Sequence, residues 1–193
     1  MLPRYMRSCI FASCAIGALF FLTLKASAGA DSSLDRLPAL QGAAPGPPRS
    51  AGREPPVFGG MLAEHNRARR AVGVPALQWS DRLSQIAQEW AERLGGDGCA
   101  MRHSGRAGLG ENLAWAAGRH LSTVEVVRMW VEEAREFDPG DGVCDTGAVC
   151  GHYTQVVWRA TKFMGCGMVS CGGTEVWVCN YSPPGNYVGE RPY

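Results

Sequence analysis

Four side chains could exchange a proton or bind a metal near neutral pH: His65, His103, His120 and His152. His103 lies in a glycine-rich stretch eight residues before Glu111, within Gly110-Glu111-Asn112-Leu113, and His152 follows directly on Cys150-Gly151. Two imidazoles brought together with carboxylates form a donor set for a divalent cation or for acid/base work. His65, within Glu64-His65-Asn66 on an expected helix, reads as a packing or hydrogen-bonding residue. His120, in an Arg-His-Leu loop, reads as a surface residue. Ser104 beside His103 is adjacency, not a triad, and the chain has neither His-Glu-x-x-His nor Gly-x-Ser-x-Gly.

These residues must be positioned by a mixture of helices and strands. Phe58 to Val72 reads as a helix ended by Gly73 and Pro75. Ser80 caps a second helix with Leu83, Ile86, Ala87, Trp90 and Leu94 at helical spacing, stopped by Gly95-Gly96. Ser122-Thr-Val-Glu125 is a capping box that opens a third, continuing to about Glu136. Beyond Pro139 the pattern favours strands: His152 to Arg159, Lys162 to Ser170 and Glu175 to Tyr181, with Gly172-Gly173 as a hairpin turn. His152 thus opens a strand. Helices first and strands later point to an α+β or layered sandwich fold.

One glutamate of the third helix is out of place. Val126, Val127, Trp130, Val131, Ala134 and Phe137 share one arc of the helix, with Glu125, Glu132 and Glu136 on the solvated face. Glu133 falls at the edge of the apolar stripe, where a half-buried carboxylate needs a partner. Helix geometry alone favours a rim carboxylate beside an arginine.

Eight cysteines in 193 residues also need a place. Arg4 and Arg7 precede a sixteen-residue apolar run, Cys9 to Leu24, and Ala26-Ser27-Ala28 puts small residues where a signal peptidase cuts. The run is short of the ~20 residues that span a bilayer, so residues 1–28 read as a secretory signal rather than an anchor. Its removal takes Cys9 and Cys14 with it. Cys99, Cys144, Cys150, Cys166, Cys171 and Cys179 remain, an even set that reads as three disulfides in an oxidising compartment, with the pairing open. Residues 29–56, rich in proline, glycine and alanine, read as a semi-extended linker before a domain over 57–193. Apolar residues at 46% and charged residues at 19% exclude a disordered chain or a coiled coil. A net charge of +1, or −2 once Arg4, Arg7 and Lys25 are gone, gives no footprint for nucleic acid.

Gly151-His-Tyr-Thr-Gln-Val-Val-Trp-Arg159 and Cys179-Asn-Tyr-Ser-Pro-Pro-Gly-Asn-Tyr187 resemble the two signature segments of the CAP superfamily. That superfamily comprises cysteine-rich secretory proteins, antigen five and pathogenesis-related class-one proteins. Glu64-His65-Asn66-Arg67-Ala68-Arg69, Gly110-Glu111-Asn112-Leu113-Ala114 and Met129-Trp130-Val131 fit it in order, and the likeness covers residues 58–193. The plant pathogenesis-related type is the most similar; its chains likewise end Pro-Tyr, as Pro192-Tyr193 does. The resemblance implies a three-layer α-β-α sandwich with a central, mainly antiparallel sheet and disulfides Cys99–Cys171, Cys144–Cys150 and Cys166–Cys179. It places a cleft tetrad on His103, Glu111, Glu133 and His152, which makes Glu133 a site residue. The two histidines would bind Zn²⁺ or another divalent cation weakly. The glutamates would act through a bridging water or the imidazole N–H groups.

The implied role is a secreted, monomeric binding module of defence type, with a sterol or other lipid as an expected partner and Trp115, Trp130 and Tyr153 as candidate aromatics. A metal-dependent hydrolase using the tetrad is the alternative. Plant relatives also release a C-terminal peptide; the matching stretch, 183–193, reads here as a tail packed on the domain.

Overall fold

The computed structural model describes residues 52–193. The expected signal 1–28 and all but the end of the linker 29–56 lie outside the described residues. A single 3₁₀ turn, Pro56–Phe58, leads into α1 (Met61–Ala71), β1 (Gln78–Trp79) and α2 (Asp81–Gly96). Then follow β2 (Gly110–Ala117), α3 (Thr123–Glu132), a 3₁₀ turn over Glu133–Glu136 and a small ladder of β3 (Phe137–Asp138) and β4 (Val143–Cys144). The short α4 (Gly151–Val156) and the hairpin of β5 (Phe163–Cys171) and β6 (Thr174–Ser182) complete the domain. No described helix is long and apolar enough to cross a membrane.

The sheet runs β1-β5-β6-β2 and is antiparallel except where β1 joins β5. β6 is central and buried on both faces because its side chains alternate between two cores. Val176 and Val178 pack with Ala87, Ala91, Leu94 and Leu113 under α2. Trp177, Cys179 and Tyr181 point the other way, into the larger core with Met61, Val126, Val127, Trp130, Tyr153 and Val156 from α1, α3 and α4. This is the expected α-β-α sandwich. Gly165 and Gly167 let α2 lie directly on β5: a Cβ at either position would run into the α2 backbone at Ser84 and Gln88. Cys166 and Cys179 are opposite partners in the hairpin and are bridged, as are Cys99–Cys171 and Cys144–Cys150.

Local sequence signals work where they are strongest. Ser80 caps α2 by accepting from the Leu83 N–H, and the Ser122/Glu125 capping box on α3 is formed in both directions. α2 continues through Gly95-Gly96 rather than stopping before them. The larger correction concerns His152. It lies in α4, not in a strand, although its neighbours are β-branched and aromatic. Tyr153, Val156 and Val157, spaced i, i+3 and i+4, bury one face against the core, and this packing overrides local preference. Glu111, in a stretch that the sequence patterns assign to no element, is on a strand: β2 carries weak strand formers and exists because β6 offers it eight paired positions.

Residues 183–193 pack back on the domain. The Pro192 carbonyl accepts from the Arg159 N–H at 2.7 Å, Arg191 donates to the Pro139 and Gly140 carbonyls, and the Tyr193 hydroxyl meets that of Tyr153 at 3.1 Å.

Two basic side chains are fully buried beneath these layers. Among the described residues the Arg69 guanidinium has no carboxylate partner; it donates instead to the carbonyls of Pro75, Val156, Trp158 and Thr161 and so closes the C-terminal end of α4. Burial pulls its pKa down to about 10, which leaves it charged at neutral pH. His65 takes the opposite course. Its Nδ1–H donates to the Met61 carbonyl and its Nε2 accepts from the Tyr181 hydroxyl, both at 2.8 Å, and burial lowers its pKa from 6.5 to about 4. Between those values the unfolded chain binds more protons than the folded one. The contribution of His65 to stability is therefore complete above pH 6.5 and declines as the pH falls toward 4. Urea unfolding of the wild type should lose about 3 kcal/mol between neutral pH and pH ~4. His65→Gln, less stable overall, should show a much flatter pH dependence over the same range.

Candidate functional site

The tetrad assembles as two histidine–glutamate pairs, each carried by different elements. In the first, Glu111 sits near the start of β2, opposite Asn180 on β6. Its Oε1 accepts from His103 Nδ1 at 2.9 Å and from the Ser104 N–H at 2.8 Å, while Oε2 accepts from Asn180 Nδ2 at 3.3 Å. The carboxylate side chain is only 8% exposed and the imidazole 61%. A strand residue thus pins an irregular loop and fixes the orientation of its histidine.

In the second pair, α3 tightens into the 3₁₀ turn that begins at Glu133. Glu133 Oε1 accepts from His152 Nδ1 at 2.6 Å, and Oε2 accepts the backbone N–H groups of His152 at 2.9 Å and Tyr153 at 3.3 Å. The partner of the misplaced glutamate is therefore a histidine and two peptide N–H groups, not an arginine. Those N–H groups belong to the first turn of α4, which has no partner for them within the helix. Buried Trp130 stacks on the His152 ring, with centroids 6.3 Å apart and planes at 19°. Asn112 Nδ2 donates to the His152 carbonyl at 3.0 Å.

The chemistry follows from the acceptors. An ionised carboxylate only accepts, so each neutral imidazole carries its proton on Nδ1 and presents an Nε2 lone pair. Among the described residues neither Nε2 has a hydrogen-bond partner. Both rings, with Glu111, Asn112, Val149, Gly151 and Asn186, line one cleft of about 230 Å³. With both carboxylates ionised, the tetrad carries −2, which attracts a cation. No group of three or more His, Cys, Asp or Glu side chains among the described residues is arranged to hold a metal ion. The glutamates lie behind the rings at Nδ1, so the residues present fit a two-imidazole, open-sided site rather than a closed cage.

The other candidates fall elsewhere. His65 is the buried core residue already described. His120 is on the surface, but its Nδ1 pairs with the buried Glu175, whose other oxygen accepts the Leu121 N–H at 3.0 Å. This third histidine–glutamate pair was not apparent in the sequence, because nothing in the spacing of residues 120 and 175 announces it. Ser104 serves Glu111 through its backbone N–H and does not join a triad. Trp130 and Tyr153 are core residues, whereas Trp115 is 45% exposed on β2. Asn112, Asn180 and Asn186 also support the cleft. Asn112 and Asn180 share the β2–β6 ladder with Glu111, and only the strand register reveals them.

The model of the CAP family, described as the cysteine-rich secretory protein family, matches residues 62–181. This chain belongs to the CAP family. Pathogenesis-related protein 1 of Arabidopsis thaliana is 49% identical over 134 residues, 68% of this chain and 80% of that protein. The PR-1 type pathogenesis-related protein of Sambucus nigra is 46% identical over 130 residues, 67% of this chain and 77% of that protein. Among solved structures, Na-ASP-1 has a TM-score of 0.61 at 25% identity, covering 76% of this chain and 43% of that one. Venom allergen-like protein 4 of Schistosoma mansoni has a TM-score of 0.58 at 24% identity, covering 69% and 90%; that likeness concerns the fold alone.

The pairing in this CAP domain has a direct consequence. Glu133→Ala leaves the His152 and Tyr153 N–H groups without an acceptor. Their amide exchange should accelerate about 10- to 100-fold, the equivalent of roughly 1–3 kcal/mol for an orphaned donor. Exchange in the β5–β6 ladder should not change. Native-state hydrogen exchange followed by NMR checks both.

Proposed function

We propose that this CAP domain is a secreted, defence-type binding module whose cleft takes a divalent cation weakly through His103 Nε2 and His152 Nε2. The observation that carries the metal reading is the matched pair of Nδ1–carboxylate bonds, which turns two free Nε2 atoms into one cleft. The defence role rests on relatives named pathogenesis-related at 46% and 49% identity. Secretion is supported by three disulfides among the described residues and by the secretory description of the family.

Within the site, Glu111 and Glu133 orient the rings and hold the imidazole proton on Nδ1, and two carboxylates beside the rings suit a dication. A bound cation would supply a Lewis-acidic centre with positions open to water or a ligand oxygen. Two protein ligands make a weak site, and protons compete for the same lone pairs.

Calorimetric titration of the metal-stripped protein with Zn²⁺ should give one weak site that weakens further on acidification. His103→Ala and His152→Ala should each abolish it. Glu111→Gln and Glu133→Gln should weaken it about 10- to 100-fold. Unchanged binding in both histidine variants would contradict the reading. Turnover of peptide or ester substrates that Glu111→Ala abolishes would replace it with a hydrolase.

A further inference from the structure

The Gly151–His152 peptide is gripped at both ends. Its N–H end, on His152, donates to Glu133 Oε2 at 2.9 Å. Its C=O end, on Gly151, accepts from Asn186 Nδ2 at 2.8 Å. Asn186 belongs to the C-terminal segment 183–193, more than thirty residues away in the chain. Its Oδ1 accepts from the Thr154 hydroxyl at 2.8 Å, so one amide spans the first turn of α4 from Gly151 to Thr154. Beside it, the Gly185 N–H donates to Gln155 Oε1 at 2.9 Å. The segment therefore runs as a strap along α4 and meets it at Gly151, Thr154 and Gln155.

Asn186 also has an unusual backbone, with φ of 59°, in the left-handed region where asparagine is one of the few tolerated residues besides glycine. That conformation turns the amide back toward α4 instead of out along the strap. The same residue lines the cleft between His103 and His152.

We infer that Asn186 is a positioning residue for His152, and that the C-terminal strap holds the metal-side face of the cleft in register. The restraint is rotational. A six-residue helix of poor helix formers has little stiffness of its own. Glu133 fixes the N–H end of the peptide that carries His152, and at the carbonyl end α4 itself offers the Thr154 hydroxyl at 3.1 Å, whose single proton is shared with Asn186 Oδ1 at 2.8 Å. Asn186 adds a donor from outside the helix to that carbonyl and ties this end of the peptide to the strap, which restricts its tilt and keeps the imidazole on Glu133. The inference rests on the metal reading only for its effect on affinity; the effect on His152 itself does not require a metal.

Two strap variants test it. Asn186→Gly keeps the left-handed backbone accessible and deletes both side-chain bonds. Asn186→Asp is nearly isosteric and keeps the acceptor for Thr154, but it lacks the donor for the Gly151 carbonyl. In the metal-free protein, both should broaden or shift the His152 Nδ1–H proton resonance and leave that of His65 unchanged. Zn²⁺ affinity should fall about three- to tenfold, the worth of one or two hydrogen bonds. Thr154→Val, which takes the hydroxyl from both Asn186 Oδ1 and the Gly151 carbonyl but keeps the Asn186 donor, should give a smaller change of the same kind and serves if the strap variants misfold. A His152 resonance that is sharp and unmoved in all the folded variants would overturn the inference. A wild type that takes up no Zn²⁺, with a His152 resonance that still responds to Asn186, would remove the metal reading and leave this one standing.

Discussion

Glu133 accepts three hydrogen bonds from α4, and the cleft depends on that carboxylate more than on any other group. α4 is short, begins at a glycine and is built from residues that favour strands, so it has little intrinsic reason to be helical. The N–H groups of its first turn would be orphans without Glu133. At its other end the carbonyls of Val156 and Trp158 are met by Arg69, a buried cation whose hydrogen bonds among the described residues all go to peptide oxygens. A negative group at the start and a positive group at the end therefore hold the segment that carries His152. Both arrive from helices on the same side of the sheet.

The layers behind that arrangement are rigid for separable reasons. β6 is buried on both faces, so its register with β2 cannot slip without exposing one core or the other. That register puts Glu111 beside Asn180 and Asn112 in reach of the His152 carbonyl. On the α1 side, His65 meets Trp130 edge-on, and Trp130 in turn stacks on His152. The core histidine and the cleft histidine are thus the two ends of one aromatic run. One is kept neutral by burial, while the other keeps a free nitrogen in solvent-accessible space.

Much of the fold was readable from local signals. α2 has an apolar stripe and a serine cap, α3 has its capping box, and the β5–β6 hairpin has a glycine pair at its turn. These elements satisfy their own backbone groups with nearby residues, which is why sequence patterns betray them. α4 and β2 do not. α4 is helical because of a carboxylate, an arginine and a packed face from distant parts of the chain, and β2 is a strand because β6 offers it an edge. The tetrad shows the same division. Spacing marked His103, Glu111 and His152 as candidates and Glu133 as an oddity of its helix. Family resemblance joined them, since their pairing spans up to 19 residues of sequence and no periodicity links them. Asn186 and the His120–Glu175 pair depend on separations of 35 and 55 residues and needed the three-dimensional structure.

In the proposed site two oriented imidazoles share one cation and the other histidines stand apart from it. Imidazole ¹⁵N NMR during a Zn²⁺ titration of the metal-stripped protein distinguishes the four rings. The Nε2 signals of His103 and His152 should move together with a single stoichiometry, while His65 and the exposed His120 stay still. Movement of only one of the pair, or equal movement of His120, would contradict it.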